Sequence, residues 1–266
     1  IRGFLGNPRE NCNMPRARER RFLRISRSDI EKAMQALGFY HPDIELSIKR
    51  LEDCWRLDIS IIPNDPIIIE TIDISIKGEA ENDAAFASLT ASLPIQQGDV
   101  MRHDRYEQAK SALVRLAAER GYFDSELEKQ QLSIDIVQNT AAIHLHLSSG
   151  KRYFFGATHF EQDILHEDFL RRFIRYQEGD PFDNHTLLNL RQALSGSGYF
   201  NDVRIDARPE EQDDFYVPVT ITANPRPKYV YTAGIGFATD TGPRLRLGLE
   251  NRRVNRKGHR YNTELE

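Results

Sequence analysis

Cysteine and tryptophan are scarce in this chain, with two Cys and one Trp among 266 residues. Cys12 and Cys54 fit neither a zinc-ligand spacing nor a C-x-x-C redox motif. Long apolar runs are missing: a stretch such as Ile67-Ile68-Ile69 stops at three residues, whereas a membrane-crossing helix needs roughly 20. There is no basic excess either. Thirty-six Lys and Arg stand against 40 Asp and Glu, a net charge of -4, which argues against a dedicated nucleic-acid binder. The opening Ile1-Arg2-Gly3 has no methionine and no basic-then-apolar leader, so the chain is expected to be a fragment of a longer protein. No P-loop, dinucleotide-binding glycine pattern, nucleophile elbow or H-E-x-x-H occurs. His144 and His146 share a strand face, but without a nearby carboxylate or cysteine they are read as plain strand residues. No catalytic residue, metal or other cofactor is expected.

What is present is a pattern that occurs three times. Leu37-Gly38-Phe39-Tyr40 is echoed by Arg120-Gly121-Tyr122-Phe123 and by Ser197-Gly198-Tyr199-Phe200. The glycines are 121 − 38 = 83 and 198 − 121 = 77 residues apart. A helical stripe precedes each echo. Ile30, Ala33, Met34 and Leu37 form the first, with Ser28 and Glu31 at capping-box spacing, although Pro15 offers an earlier start. Tyr106, Ala109, Leu113, Leu116 and Ala117 form the second, opened by Asp104 and Glu107. Leu187, Leu190 and Leu194 form the third, opened by Asp183 or Asn184. Each glycine is placed to take the left-handed conformation that stops a helix, with the next aromatic folding back on the last turn.

Alternating strands follow. Ile44, Leu46 and Ile48 alternate with Asp43, Glu45 and Ser47, and a second strand alternates through Leu57, Ile59 and Ile61. The other copies offer 123–134 with 142–147, and 203–207 with 215–221. Ahead of the last two long helices lie an opening strand and a short helix, over 68–77 with 83–93 and over 152–160 with 165–174. The unit is therefore strand–helix–helix–strand–strand, and the fold class is α+β. The first copy has no convincing opening strand, as truncation before Ile1 would produce. Joints are expected at Pro63–Pro66 and Ser148–Lys151, with small contacts between units because each has its own core.

A β-α-α-β-β unit with Gly-Tyr-Phe after its second helix resembles the POTRA domain. Arg20-Arg21-Phe22 leading to Ala36-Leu37-Gly38-Phe39-Tyr40-His41-Pro42 is similar to the first POTRA of the TamA family, in the BamA/TamA superfamily of outer-membrane assembly proteins. Arg120-Gly121-Tyr122-Phe123-Asp124-Ser125 is similar to its second. Glu178-Gly179-Asp180 with Gly198-Tyr199-Phe200-Asn201 is similar to its third. The stretch Gly234–Arg244 resembles the first barrel hairpin that follows. In 229–238, Tyr229, Tyr231, Ile235 and Phe237 share one face, and Leu245, Leu247 and Leu249 alternate with Arg244, Arg246, Gly248 and Glu250. Such alternation over about ten residues suits a transmembrane barrel strand, although an amphipathic soluble hairpin looks the same. The expected domains are 1–64, 65–149 and 150–224 as three tandem POTRA units, and 225–266 as the start of a truncated transmembrane β-barrel.

The resemblance implies a non-enzymatic periplasmic arm at the cell outer membrane, with a TamB-like inner-membrane-anchored partner and outer-membrane clients such as autotransporters. A role in envelope lipid transport is the other framing. A BamA-like or two-partner-secretion transporter, or a non-barrel periplasmic scaffold, are the alternatives. The mechanism is strand addition at open sheet edges. In the family fold the strand after the Gly-aromatic motif is an edge, so Ile44, Glu45, Leu46, Ser47 and Ile48, with Asp124, Ser125, Glu126 and Leu127, are the candidate pairing residues. Gly38 and Phe39, Gly121 and Tyr122, and Gly198 and Tyr199 are the repeat motif. Arg16, Arg18, Arg20, Arg21, Arg24 and Arg27 are either a solvated helix face or a docking patch for an acidic surface. In this topology the turn after the first strand lies where the preceding helix began. Cys12 and Cys54 are then expected to meet in a disulfide, the alternative being two separate buried thiols.

Overall fold

A computed structural model of the chain describes residues 15–51, 54–211, 214–238 and 242–265. The contacts group the chain into two compact units, where the repeats suggested three domains. One unit comprises residues up to Leu116 with Ser125–Ser149, and the other Ala117–Asp124 with everything from Gly150 onward.

The first unit opens on α1 (Arg16–Ala36), followed by β1 (Asp43–Arg50) and β2 (Trp55–Ile62), an antiparallel pair. The helix starts at the proline and not at Ser28: the Pro15 carbonyl accepts from the Arg18 and Glu19 amides at 2.9 and 3.0 Å. The Ser28–Glu31 capping box is thus an interior pair, because the helix is already under way from its cap at Pro15, thirteen residues earlier. Ser26, Ile30 and Met34 are buried, while Leu37 is exposed. Phe22 meets Trp55 edge-on and Glu19 bonds Arg50 at 3.4 Å, which seats α1 on the hairpin. The second repeat adds β3 (Ile68–Lys77), α2 (Ala84–Ser92), α3 (His103–Glu119), β4 (Glu126–Asp135) and β5 (Thr140–Ser148). The sheet order is β3-β5-β4, with β3 parallel and β4 antiparallel to the central β5. Along β5, Ala141, Ile143, Leu145 and Leu147 are buried and the alternate residues are not, as period-two alternation dictates. Asp104 does not cap α3; its carboxylate is taken by Arg102 at 2.9 and 3.1 Å, and the helix begins at His103.

The second unit repeats the scheme as β6 (Phe154–Glu161), α4 (Glu167–Leu170) running into a 3-10 turn (Arg171–Phe173), α5 (Asn184–Gly196), β7 (Phe200–Ala207) and β8 (Tyr216–Pro225), in sheet order β6-β8-β7. Asp183 caps α5 by accepting from the His185 amide at 2.8 Å. Leu187, Leu190 and Leu194 share a core with Val217, Val219 and Ile221, each such side chain contributing about 1.5–3 kcal/mol by burial. Three further strands follow, β9 (Tyr229–Ala238), β10 (Gly242–Asn251) and β11 (Tyr261–Leu265), in a separate sheet of order β9-β10-β11.

The glycine stops form as expected, with φ of +94°, +84° and +84° at Gly38, Gly121 and Gly198. Phe39 and Tyr122 amides reach back five residues to the Met34 and Ala117 carbonyls, closing the helix ends. These turns also do something the sequence did not announce. In the first unit the Gly38 carbonyl accepts from Ile67 (2.8 Å), Ile67 from Met101 (2.8 Å), Asp99 from Ile69 (2.9 Å), and Ile69 from Gly98 (2.8 Å). In the second unit Gly121 accepts from Tyr153 (2.8 Å), Tyr153 from Phe182 (2.9 Å), Asp180 from Phe155 (2.9 Å), and Phe155 from Gly179 (2.8 Å). The two ladders match bond for bond. Each glycine turn is clamped by the start of the following repeat, through the Gly38–Ile67 and Gly121–Tyr153 bonds.

Candidate partner-binding surfaces

Edge character follows from the sheet orders. β1 pairs with β2 alone among the described residues, and β4 is an outer strand of β3-β5-β4. Ile44 is buried, Leu46 and Ile48 are half-buried, and Glu45 and Ser47 are exposed, so the β1 alternation is as read. The Leu51 amide donates to the Cys54 carbonyl at 2.7 Å, making 51 and 54 a hydrogen-bonded pair. With an uninterrupted antiparallel register, hydrogen-bonded pairs recur every second residue, at 49/56, 47/58, 45/60 and 43/62. The amides of Glu45 and Ser47 therefore face β2, and those of Ile44, Leu46 and Ile48 face outward. Of the candidates after the second repeat motif, Glu126 and Leu127 open β4, but Asp124 and Ser125 lie in the preceding turn. Asp124 is held there because its carboxylate accepts from the Tyr153 hydroxyl at 3.0 Å. Burial, then the Asp124 carboxylate, push the Tyr153 phenol above its ordinary range.

The arginines of α1 divide by helical geometry. At 100° per residue Arg16, Arg20, Arg24 and Arg27 fall on one face, with Arg18 and Arg21 off it, and all are exposed. Cys54 is disulfide-bonded, and Cys12 lies outside the described residues.

The β9–β11 sheet has two chemically distinct faces. Register pairs Phe237 with Pro243, Ile235 with Leu245, Ala233 with Leu247, Tyr231 with Leu249, and Leu247 in turn with Leu265. Directly paired residues share a face, so these form one apolar surface. It is open: Ile235 is 90% exposed, Phe237 77% and Tyr231 76%. Thr232, Gly234, Gly236, Arg244, Arg246 and Gly248 occupy the other face, where Arg246 pairs with Glu264 at 3.2 Å. The loop from Arg252 to Arg260 is tied to the third repeat. Tyr199 donates its hydroxyl to the Gly258 carbonyl, Arg260 stacks over the Tyr199 ring at 4.8 Å, and His166 donates its amide to the Arg256 carbonyl at 2.9 Å.

Two features escaped the sequence reading. Gln96-Gln97-Gly98-Asp99 is a second copy of Gln177-Glu178-Gly179-Asp180, each aspartate accepting from the amide of its glutamine, at 3.2 and 2.8 Å. The repeated glutamine, glycine and aspartate were a legible signal. The other is a carboxylate beside the histidine pair: the parallel register sets Asp73 opposite His144. His146 first, then His144, hold the Asp73 carboxyl below the usual range.

Comparison with known proteins places this geometry. The family model for POTRA, described as a surface antigen variable number repeat, matches residues 70–150 and 153–224, together more than half of the chain. A model for the first POTRA domain of TamA matches residues 1–63. The outer membrane protein assembly factor BamA of Buchnera aphidicola subsp. Acyrthosiphon pisum (strain APS) is 21% identical over 231 residues, 86% of this chain and 37% of that protein. BamA of Neisseria meningitidis serogroup B is 22% identical over 207 residues, 77% of this chain and 26% of that protein. The chain thus spans well under half the length of these relatives. A crystal structure of BamA from Haemophilus ducreyi lacking POTRA domains 1–3 shares the fold, with TM-score 0.61 at 18% identity over 74% of this chain and 37% of that one. The chain belongs to the POTRA family.

Proposed function

We propose that this chain is the periplasmic arm, with three POTRA units and the first barrel strands, of an outer-membrane protein assembly factor. The observation that carries the reading is the two-faced β9–β11 sheet that follows the last repeat. A soluble domain buries an apolar face of this kind, whereas a barrel wall turns it to lipid. The relatives, named as assembly factors, support the same assignment. The units are 1–64, 65–149 and 150–224, with the barrel beginning in 225–266. Substituting Ile235→Lys together with Phe237→Lys tests the membrane end. Each lysine on a lipid-facing strand costs up to about 2–4 kcal/mol, so association with detergent micelles should fall at least about tenfold. Equal micelle binding by the double variant, measured by sedimentation, would remove the barrel assignment.

The arm works by strand addition: an extended client segment pairs with β1 or β4 through main-chain hydrogen bonds, which needs no catalytic group. Because the outward amides belong to Ile44, Leu46 and Ile48, the informative probe is Ile48→Pro, compared with Ile48→Ala. Proline removes an outward donor and obstructs pairing, while alanine loses only the side chain. Capture of an unfolded outer-membrane client, read by site-specific cross-linking, is expected to fall about tenfold for proline relative to alanine, the worth of one or two hydrogen bonds. Identical capture would exclude β1 as the acceptor edge.

Resemblance of residues 1–63 to the first TamA unit supports a TamA-type protein with a TamB-like inner-membrane-anchored partner and autotransporter clients. On this reading the exposed face Arg16, Arg20, Arg24 and Arg27 is a dock for an acidic partner surface. The similarity to BamA favours a BamA-like factor as the second reading.

A further inference from the structure

A histidine pair and a carboxylate far apart in the sequence converge on the second repeat's sheet. β3 and β5 run parallel with Asp73 opposite His144 and Ser75 opposite His146. His144 and His146 alternate with the buried Ile143, Leu145 and Leu147, so both imidazoles stand on the face away from the core. One carboxylate oxygen serves both: Asp73 Oδ2 lies 2.8 Å from His146 Nε2 and 3.2 Å from His144 Nδ1.

We propose that Asp73, His144 and His146 form a binding site for a divalent transition-metal ion of the zinc class, joining the opening strand of the repeat to its central strand. The three ligand atoms lie within 4.8 Å of one another. Zinc held at about 2.0–2.2 Å by nitrogen and carboxylate oxygen keeps its ligand atoms roughly 3.3 Å apart, a spacing close to the 2.8 and 3.2 Å of the two carboxylate–imidazole contacts. Two neutral imidazoles and one carboxylate make a nitrogen-rich set. It suits zinc, nickel or copper, while magnesium and calcium demand mostly oxygen. The imidazoles are 27% and 23% exposed, enough for a hydrated ion to enter and keep a water in the fourth position. Ser75 Oγ, beside His146 in register, is buried without a hydrogen-bond partner, and a metal-bound water is a group that would satisfy it.

The neighbouring strand sets the affinity. Gln131 is opposite His144 and Lys129 is opposite His146 on β4, and an ammonium group there opposes a cation. With three ligands, a solvent-open face and a nearby lysine, binding is expected in the micromolar range typical of accessible sites, about −8 kcal/mol as a binding free energy. Because the ligands are assembled by the sheet register, binding favours the folded chain and raises its unfolding midpoint.

Titrating the whole chain, freed of metal with EDTA, with zinc chloride at pH 7.5 tests this. One equivalent should bind and raise the thermal midpoint, with magnesium chloride showing neither effect. His144→Gln with His146→Gln should weaken zinc binding by about tenfold or more for each ligand lost, and the zinc-induced rise, read against the variant's own EDTA midpoint, should shrink with it. Asp73→Asn, an isosteric change, should weaken it too and provides the decisive variant if the double substitution impairs folding. Absence of zinc uptake by the unsubstituted chain would overturn the proposal. So would the same affinity and stoichiometry in the Asp73 and double-histidine variants, which would assign the zinc to the remaining histidines.

Discussion

Alanine at Gly38 is expected to cost the first unit about 3 kcal/mol or more, and alanine at Gly98 only about 1–2 kcal/mol. Both glycines hold positive φ, +94° and +89°, so both substitutions force an L-residue into a left-handed conformation. They differ in surroundings. A Cβ at Gly98 meets nothing within 4 Å, whereas one at Gly38 would overlap the Met101 carbonyl oxygen and press on Val100 Cγ1 at 2.9 Å. The obstacle at Gly38 is backbone, which can yield only by pulling the Gly38–Ile67 and Ile67–Met101 bonds apart. Each such bond contributes a net 0.5–1.5 kcal/mol or so, added to the conformational cost. Gly121→Ala should resemble Gly38→Ala, since its Cβ would sit 2.8 Å from Phe182 Cβ and 3.2 Å from the Tyr153 oxygen. Urea midpoints followed by circular dichroism measure all three. Equal losses at Gly38 and Gly98 would mean that the turn is not clamped, and the ladder would then contribute nothing.

This clamp separates what was legible in the sequence from what was not. The helix stripes Tyr106–Ala109–Leu113–Ala117 and Leu187–Leu190–Leu194 were readable because burial selects side chains at helical spacing. The glycine stops were readable because only glycine takes that φ cheaply. The ladders were hidden: backbone bonds from Gly38 to Ile67 and from Gly121 to Tyr153 place no demand on the side chains at Ile67 or Tyr153. Their one trace in the sequence is the Gln-x-Gly-Asp loop, present at Gln96–Asp99 and again at Gln177–Asp180. At α1 two valid start signals competed, and Pro15 prevailed over Ser28 because the upstream start brings Phe22 into the helix, where it packs against Trp55. At the candidate edges the alternation of β1 was legible but the direction of its amides was not. Which amides of β1 face outward depends on the hydrogen-bond phase set at Leu51 and Cys54, a property of the turn and not of the alternating pattern. The Asp73–His144 pairing depends on a parallel register between strands some 70 residues apart, which no local spacing encodes.

Opening the disulfide at Cys54 is expected to have the largest effect on the first repeat, a loss of about 4 kcal/mol. We propose Cys12 as its partner, the other cysteine of the chain. A bond between them closes a loop of roughly 40 residues, and the entropy removed from the unfolded chain by such a loop gives that figure. Among the described residues the repeat has little else to draw on. Its cluster of buried side chains is Ile30, Met34 and Ile44, with Phe39, Leu46 and Ile61 partly buried against it, and its sheet has two strands among the described residues. Three buried aliphatic side chains supply on the order of 5–9 kcal/mol before conformational entropy is subtracted, so a 4 kcal/mol loss is decisive. The third repeat, whose core runs from Tyr153 to Ala223 and includes no cysteine, should be indifferent to reductant. Reduced chain, or Cys12→Ser with Cys54→Ser, should therefore become protease-sensitive within 15–62 while 150–225 stays resistant, with the cleavage sites read by mass spectrometry. Unchanged protection of 15–62 under both conditions would mean that helix and hairpin hold together without the cross-link, and a Cys54 adduct other than Cys12 would refute the pairing.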